Sequence, residues 1–154
     1  MIKKNHLLWV EDDAMGSLSP LGRLFEREGF EVDVALDLKT ALHRLERDRY
    51  SCVLVDLILP SGEKSGSLDP INGLKLIRKI REQEKREGRS GKTLISVLTV
   101  LNRSEVESEV KDFDIEFFNK VRLLERDEMA RLLASLKAKS DAEDAAEQDN
   151  EADR

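Results

Sequence analysis

The chain has 154 residues, of which 40% are apolar and 38% are charged, and its formal net charge is −6. This length fits one domain with room for a core of its own. No apolar stretch approaches the 18 or so residues of a membrane-spanning helix, and the N-terminal one is too short for a signal peptide. Cys52 is the single cysteine, which excludes an internal disulfide. We therefore expect a cytoplasmic protein that does not bind membranes.

Most of the negative charge lies at the C-terminal end of the chain. Residues 141–154 contain seven acids, one arginine and no large apolar residue, so residues 1–140 are close to neutral. A segment of this composition has little to bury, which predicts a disordered acidic tail. We expect one domain over residues 1–140, followed by this tail over residues 141–154. No basic cluster in the sequence indicates nucleic-acid binding.

The hydrophobic pattern alternates between the two-residue period of strands and the 3.6-residue period of helices. Asp37 is a predicted helix cap, the charged segment 82–92 is expected outside the core, and His6 is expected at the surface or at an edge. In chain order the predicted elements are a strand at 6–10, a helix at 18–25, a strand at 31–35, a helix at 38–45, a buried strand in the apolar run 52–59, a helix at 74–80, a strand at 93–99, a helix at 104–112, a strand at 115–118 and a helix at 123–139. Five strands that alternate with five helices predict an α/β fold with a doubly wound, five-stranded parallel sheet.

Polar side chains stand where four of the predicted strands end. They are Glu11-Asp12-Asp13 after the first strand, Asp56 in the third, Thr99 at the end of the fourth and Lys120 after the fifth. Because ligands bind at the carboxyl ends of parallel strands, these side chains should converge on one acidic pocket.

Crowded carboxylates repel one another, and a hard divalent cation, usually Mg2+ beside phosphate, relieves this repulsion. An ammonium and a hydroxyl opposite a metal-bound carboxylate suit the oxygens of a transferring phosphoryl group. The pattern therefore predicts phosphoryl transfer onto Asp56 as a carboxylate nucleophile.

Taken together, these features resemble the receiver domain of the response regulators of two-component signalling, over residues 5–139. The resemblance implies a stand-alone receiver with the flavodoxin-like (βα)5 fold. It rests on four motifs in order, which are Leu8-Trp9-Val10-Glu11-Asp12-Asp13, Val53-Leu54-Val55-Asp56-Leu57-Ile58-Leu59-Pro60, the strand that ends in Thr99, and Phe117-Phe118-Asn119-Lys120.

The resemblance also implies roles for the metal-binding residues. Glu11 and Asp12 would be the acidic pair, with Asp12 as the direct Mg2+ ligand. Asp56 would bind the metal as well as accept the phosphoryl group, and the backbone carbonyl of Ile58 would be a further ligand.

The remaining site residues would contact the phosphoryl group or change conformation when Asp56 is phosphorylated. Thr99 and Lys120 would contact phosphoryl oxygens. Phe117 matches the aromatic residue whose rotamer reports phosphorylation, so Thr99 and Phe117 would form the switch.

The implied function is signalling in which the domain catalyses only its own phosphorylation and dephosphorylation. The phosphoryl group would come from a histidine kinase or a phosphotransfer protein. The surface would then change for a downstream protein that the sequence does not identify, and a phosphorylation-dependent homodimer is one form of this change. Neither nucleic acid nor a membrane is an expected partner.

Three departures from the family pattern keep alternatives open. Val121 stands where a proline usually follows the lysine, Val100 follows Thr99 where a small residue is more usual, and Ser61 to Asn72 lengthens the loop beside the site. One alternative is a pseudo-receiver, a protein-interaction module of the same fold with little or no phosphorylation. Another is a metal-dependent phosphatase or phosphotransferase, which would need a second acid where Ile58 stands.

Overall fold

The computed structural model describes residues 5–63, 70–89 and 93–137. The predicted tail at 141–154 and the last two residues of the predicted final helix lie outside these ranges. No helix in the described part of the chain is both long enough and apolar enough to cross a bilayer. The elements are β1 His6–Val10, α1 Ser19–Arg27, β2 Glu31–Ala35, α2 Leu38–Arg47, β3 Cys52–Val55, α3 Pro70–Arg86, β4 Leu94–Thr99, α4 Arg103–Val110, β5 Ile115–Asn119 and α5 at 126–137.

The five strands form one parallel sheet in the order β2-β1-β3-β4-β5. This order is that of the flavodoxin-like doubly wound fold, so the predicted fold is confirmed. Helices α2, α3 and α4 pack on one face of the sheet and α1 and α5 on the other, each face over its own apolar cluster. Because β1 and β3 lie inside the sheet and are covered on both faces, every one of their residues is buried.

Local sequence signals fix several of the helix ends. Asp37 caps α2, since its side chain accepts a hydrogen bond of 2.7 Å from the backbone N–H of Thr40. Glu105 returns to the start of α4, where its carboxylate accepts from the backbone N–H of Asn102 at 2.7 Å. Gly29 follows α1 with φ of +98°, a conformation that a side chain disfavours.

The third strand is shorter than its apolar run suggests. β3 ends at Val55, and the next residues leave the ladder because Leu57 offers its carbonyl oxygen to the N–H of Gly73 in α3. Leu57 and Leu59 nevertheless remain fully buried in the core. The run 52–59 is therefore a strand followed by a buried loop, and this loop carries Asp56.

The expectation that residues 82–92 lie outside the core is wrong for Glu84. Helix α3 continues to Arg86, and Glu84 is only 1% exposed. Arg81 lies 3.1 Å from the Glu84 carboxylate and also donates to the carbonyls of Thr93 and Asp114. Burial of this acid is tolerated because it is paired, and the same arginine ties α3 to the beginnings of β4 and β5.

His6 is not a surface residue, contrary to expectation. It is 2% exposed, and its Nε2 lies 2.8 Å from the Asp33 carboxylate on the neighbouring strand. The hydroxyl of Tyr50 donates to the same carboxylate oxygen at 2.8 Å, and the Tyr50 ring stacks against the imidazole. The register pairs His6 with Glu31, so Asp33, two residues further along β2, lies on the same face as His6 and within reach of the imidazole.

Candidate functional site

Two buried acids meet where β1 and β3 end. The register pairs Val10 with Val55, so the residues that follow, Glu11 and Asp56, come side by side. Glu11 is 1% exposed and Asp56 is 5% exposed, whereas Asp12 faces solvent. Carboxylate oxygens of Glu11, Asp12 and Asp56 all lie within 4.8 Å of one another. The predicted convergence of these three acids is confirmed.

Lys120 supplies the positive charge of this site. Its Nζ lies 2.6 Å from Oδ2 of Asp56 and also contacts the Glu11 carboxylate. Lys120 begins a short 3-10 turn, Lys120–Arg122, directly after β5, and its side chain reaches over β4 to the end of β3. One ammonium therefore faces three carboxylates.

Burial and this charge pattern shift two pKa values. Burial raises the pKa of Glu11 to about 7; the hydrogen bond with Asp12 adds to the rise and Lys120 opposes it. For Lys120, burial alone would lower the pKa, but hydrogen bonds to Asp56 and Glu11 outweigh it and the pKa is raised. The lysine thus stays a cation, and the carboxylates around it hold an excess of negative charge that another cation could neutralise.

The loop after Asp56 is fixed by α3. The N–H of Ile58 donates to Oδ1 of Asp56 at 3.1 Å. The carbonyl of Leu57 accepts from the N–H of Gly73 at 3.1 Å, and that of Leu59 accepts from the side-chain amide of Asn72 at 2.8 Å. Within the described ranges, the carbonyl between them, that of Ile58, has no hydrogen-bond donor. It therefore remains available as an oxygen ligand.

Gly73 is a site residue that the sequence pattern did not reveal. A β-carbon at this position would lie 2.4 Å from the α-carbon of Leu57 and 2.6 Å from the carbonyl oxygen of Asp56. Only glycine lets α3 approach the loop that carries Asp56 this closely. The only sequence signal is its place as a glycine one turn into a helix, which is weak by itself.

Comparison with protein-family models identifies the family of the chain. The model of the response regulator receiver domain matches residues 7–120, about three quarters of the chain. The chain is a response regulator receiver domain. Receiver domains are phosphoacceptor signalling domains that interact with histidine kinases or phosphotransfer proteins, and they are not classical enzymes.

Solved structures of receiver domains share the fold. The receiver domain of the Francisella response regulator 1452 is 19% identical with a TM-score of 0.67, and the match covers 90% of this chain and 98% of that one. A CheY-like receiver domain protein from Methanospirillum hungatei JF-1 is 21% identical with a TM-score of 0.60, covering 89% and 99%. A Burkholderia pseudomallei response regulator with a phosphorylated aspartic acid, calcium ion and citrate is 23% identical with a TM-score of 0.61, covering 93% and 72%. No curated protein sequence matches significantly.

Thr99 ends β4 at the same edge of the receiver sheet. It is fully buried, and in the described part of the chain its hydroxyl has no hydrogen-bond partner. The register pairs Val97 with Val55, so Thr99 stands two residues further along, beside the loop that follows Asp56. A buried hydroxyl without a partner is costly, and a ligand oxygen at this edge would satisfy it.

Phe117 and Phe118 point to opposite faces of the sheet. Phe117 is half-buried and packs at the margin of the cluster under α2, α3 and α4. Phe118 is fully buried on the other face, where the guanidinium of Arg131 lies 4.1 Å above its ring. Arg131 also donates to the carbonyl of Phe117 at 2.9 Å, which fixes the backbone but leaves the Phe117 ring on the α4 side.

The donor atoms of the site fit Mg2+. The cation prefers hard oxygen ligands, and the three converging carboxylates of Glu11, Asp12 and Asp56 could supply them. Asp13 takes no part, since its carboxylate bonds to the hydroxyl and the N–H of Ser17 in the turn before α1.

Proposed function

We propose that Asp56 accepts a phosphoryl group from a phosphohistidine on a histidine kinase or a phosphotransfer protein. The observation that carries this proposal is the 2.6 Å contact between the ammonium of Lys120 and Oδ2 of Asp56, inside a cluster of acids. The lysine holds an otherwise repelled carboxylate at the protein edge where a donor can reach it. The same ammonium can then move onto a phosphoryl oxygen as negative charge develops there.

The transfer needs no further reactant. A carboxylate oxygen of Asp56 attacks the phosphorus, the P–N bond breaks, and its electron pair returns to the imidazole nitrogen of the donor, which takes up a proton. In dephosphorylation by hydrolysis, water attacks the phosphorus of the acyl phosphate and loses a proton. The P–O bond to Asp56 then breaks, which releases the carboxylate and inorganic phosphate.

In this proposal Glu11, Asp12, Asp56 and the carbonyl of Ile58 hold Mg2+. When bound, the cation neutralises part of the charge on the phosphoryl oxygens. The Burkholderia response regulator, which contains a phosphorylated aspartic acid and a calcium ion, supports the combination of an aspartyl acceptor with a divalent cation. The protein's own contribution is to keep the three acids together and to leave the Ile58 carbonyl free.

Thr99 and Phe117 form the proposed switch. The Thr99 hydroxyl, buried without a partner, would bond to a phosphoryl oxygen on Asp56. Its movement would vacate space into which the half-buried ring of Phe117 could turn, which would alter the surface of α4 and β5. A downstream protein or a second phosphorylated copy would read this surface. The proposed receiver comprises residues 1–140, with residues 141–154 as an acidic extension outside the fold.

Acetyl phosphate tests the acceptor directly. With Mg2+ present, the chain should gain one phosphoryl group that hydroxylamine removes, as expected of an acyl phosphate. Asp56→Asn should abolish this gain, whereas Asp112→Asn, which changes an exposed acid beyond α4, should retain it. Absence of labelling in the parent chain would favour the pseudo-receiver alternative.

The metal assignment has a separate test. Trp9, the single tryptophan, lies two residues before Glu11, so we expect its fluorescence to report metal binding in the site. Asp12→Ala should abolish the response of Trp9 to Mg2+, and Asp13→Ala should preserve it because Asp13 bonds to Ser17 instead. The same titration curve for Asp12→Ala and the parent chain would contradict the assignment.

A further inference from the structure

Helices α2 and α3 enclose a groove on the face of the sheet opposite to α1 and α5. The groove holds about 520 Å³. Leu42 and Leu45, both partly buried against the core, form its floor, while Lys79, Gln83 and Arg86 of α3 line one side. An apolar floor beside cationic side chains suits an acidic segment with small side chains.

The two helices that form this groove are strongly basic. Residues 38–49 and 70–89 together contain eleven Lys or Arg and five acids, a local charge of +6 in a chain whose net charge is −6. The net charge of residues 1–140 is near zero although α2 and α3 form a basic surface. Five exposed cations on α3 form no ion pair with another described residue, and they are Lys75, Arg78, Lys79, Lys85 and Arg86.

Two acids, Glu46 and Glu87, also line the groove. Glu87 lies 2.6 Å from Arg49 and 2.9 Å from Arg89, so it is already paired with two cations. The local charge of +6 already includes both acids, so the groove remains cationic. Lys75, Lys79 and Arg86 follow one another at intervals of four and seven residues, which places them along one stripe of α3. Lys79 and Arg86 of this stripe line the groove, and Lys75 lies one turn before Lys79.

We propose that the acidic C-terminal segment, residues 141–154, occupies the groove between α2 and α3. Its charge of −6 is equal and opposite to that of the two helices. It contains four alanines and no large apolar residue, so it suits a shallow groove in which charge supplies most of the attraction. Because the segment belongs to the same chain, its effective concentration is on the order of millimolar, which lets weak contacts hold it. The inference does not depend on phosphorylation.

The chain can reach the groove from the end of α5. Lys137 contacts Glu28 at the end of α1, which places it at the edge where the strands begin. Helices α2 and α3 also end at that edge, since each returns the chain to the start of the next strand. The helix layers lie on the order of 20 Å apart across the sheet. Seventeen residues follow Lys137, and each can span up to about 3.4 Å.

Zero-length cross-linking with a carbodiimide tests the proposal, because it joins only carboxylates and amines in contact. The full chain is treated as an equal mixture of isotope-labelled and unlabelled protein. We expect links from acids of 141–154 to Lys75, Lys79 and Lys85, within single chains. Lys137, a near neighbour of the segment in sequence, serves as the internal standard.

Charge reversal then identifies the groove. In the double variant Lys79→Glu with Arg86→Glu, links to Lys75 and Lys85 should fall roughly fivefold or more, as they should for the parent chain in about 0.5 M salt. Lys111→Glu, a reversal after the acidic helix α4, should leave them unchanged.

Three outcomes would overturn the proposal. Links that join labelled to unlabelled chains would mean that a second copy of the chain occupies the groove. The occupant would then be its C-terminal segment or its α4 region, where residues 103–116 carry six acids and two cations. If links to Lys111 were as frequent as links to Lys79, the acidic segment would have no preference for the groove. Unchanged links in the double variant would show that the groove cations do not hold it.

Discussion

Gly73 lies so close to Leu57 that a β-carbon on the glycine would stand 2.4 Å from the α-carbon of Leu57. We expect Gly73→Ala to displace the loop that carries Asp56. The free energy of unfolding should fall by about 1–3 kcal/mol, as in other overpacked cores. Phosphoryl transfer to Asp56 should slow by about tenfold or more, because small misplacements of reacting groups are costly.

Urea unfolding and acetyl phosphate labelling measure the two effects of this substitution. Gly22→Ala is the matched control, since its β-carbon would meet only the edge of the Trp9 ring, at 3.2 Å. The control should label at the parent rate. A folded Gly73→Ala variant that also labels at the parent rate would show that the close approach does not position the acceptor.

Removal of the Lys120 ammonium should leave Glu11 and Asp56 as two buried acids without a cation. We expect Lys120→Met to lower the free energy of unfolding by about 2 kcal/mol in the absence of divalent cations. Mg2+ should restore part of this loss, because it would bind only the folded acids. Urea titrations with and without Mg2+ measure both quantities.

The control for this substitution is Lys137→Met, since Lys137 pairs with Glu28 at the surface. Its effect should stay below about 1 kcal/mol and should not depend on Mg2+. If Lys120→Met were as stable as the parent chain, the lysine would not be the group that holds the two acids together.

The buried hydroxyl of Thr99 has no partner within the described residues, so its removal should not destabilise the unphosphorylated domain. We expect Thr99→Val to be as stable as the parent or more stable by up to about 1 kcal/mol. Asp56 should still be labelled, but hydrogen exchange over residues 104–118 should no longer respond to phosphorylation.

Ser96→Ala provides the comparison, because Ser96 on the same strand is also fully buried and its hydroxyl also lacks a described partner. Ser96 lies three residues before the carboxyl end of the strand, so Ser96→Ala, like Thr99→Val, should be at least as stable as the parent, whereas its exchange response to phosphorylation should persist. A normal response in Thr99→Val would refute the proposed role of the hydroxyl.

The carboxylate of Asp33 makes part of the stability dependent on pH. Burial would raise the pKa of Asp33, but hydrogen bonds from Tyr50 and His6 outweigh it and lower the pKa from its ordinary value of 3.8. A lowered pKa contributes stability above pH 3.8, and this contribution is lost as the pH falls through the lowered value. Tyr50→Phe should therefore cost about 1 kcal/mol at neutral pH, and less in acid.

Urea unfolding at neutral pH and at about pH 3 tests this dependence. In the background of Asp33→Asn, the cost of Tyr50→Phe should no longer vary with pH. A cost that is the same at both pH values in the parent background would show that the hydroxyl does not act through Asp33.

Alternation of apolar and polar segments was sufficient to predict the five strands, the five helices and the parallel sheet. It was also sufficient to bring Glu11, Asp12, Asp56 and Lys120 together, because strand ends in a parallel sheet share one edge. The chemical roles of these four residues, and those of Thr99, Phe117 and the Ile58 carbonyl, remain predictions. They depend on a bound cation and a phosphoryl group, which no pattern of the unphosphorylated chain specifies.

What the sequence did not reveal depends on contacts between distant segments. Glu84 looks like a surface residue until Arg81 joins it to the carbonyls of Thr93 and Asp114. His6 looks peripheral until the fold brings the Asp33 carboxylate and the Tyr50 ring against its imidazole. The local sequence shows that a side chain is charged or polar, but it does not show whether a distant segment supplies a hydrogen-bond or ion-pair partner that permits its burial.

The loop between β3 and α3 is fastened at both of its ends. Pro60 and Ser61 accept the first backbone N–H groups of α2 through their carbonyls, and Asn72 and Gly73 bond back to the carbonyls of Leu59 and Leu57. Helices α2 and α3 therefore both hold the segment that carries Asp56. A displacement of either helix, by a partner or by a substitution, would be transmitted to the position of this aspartate.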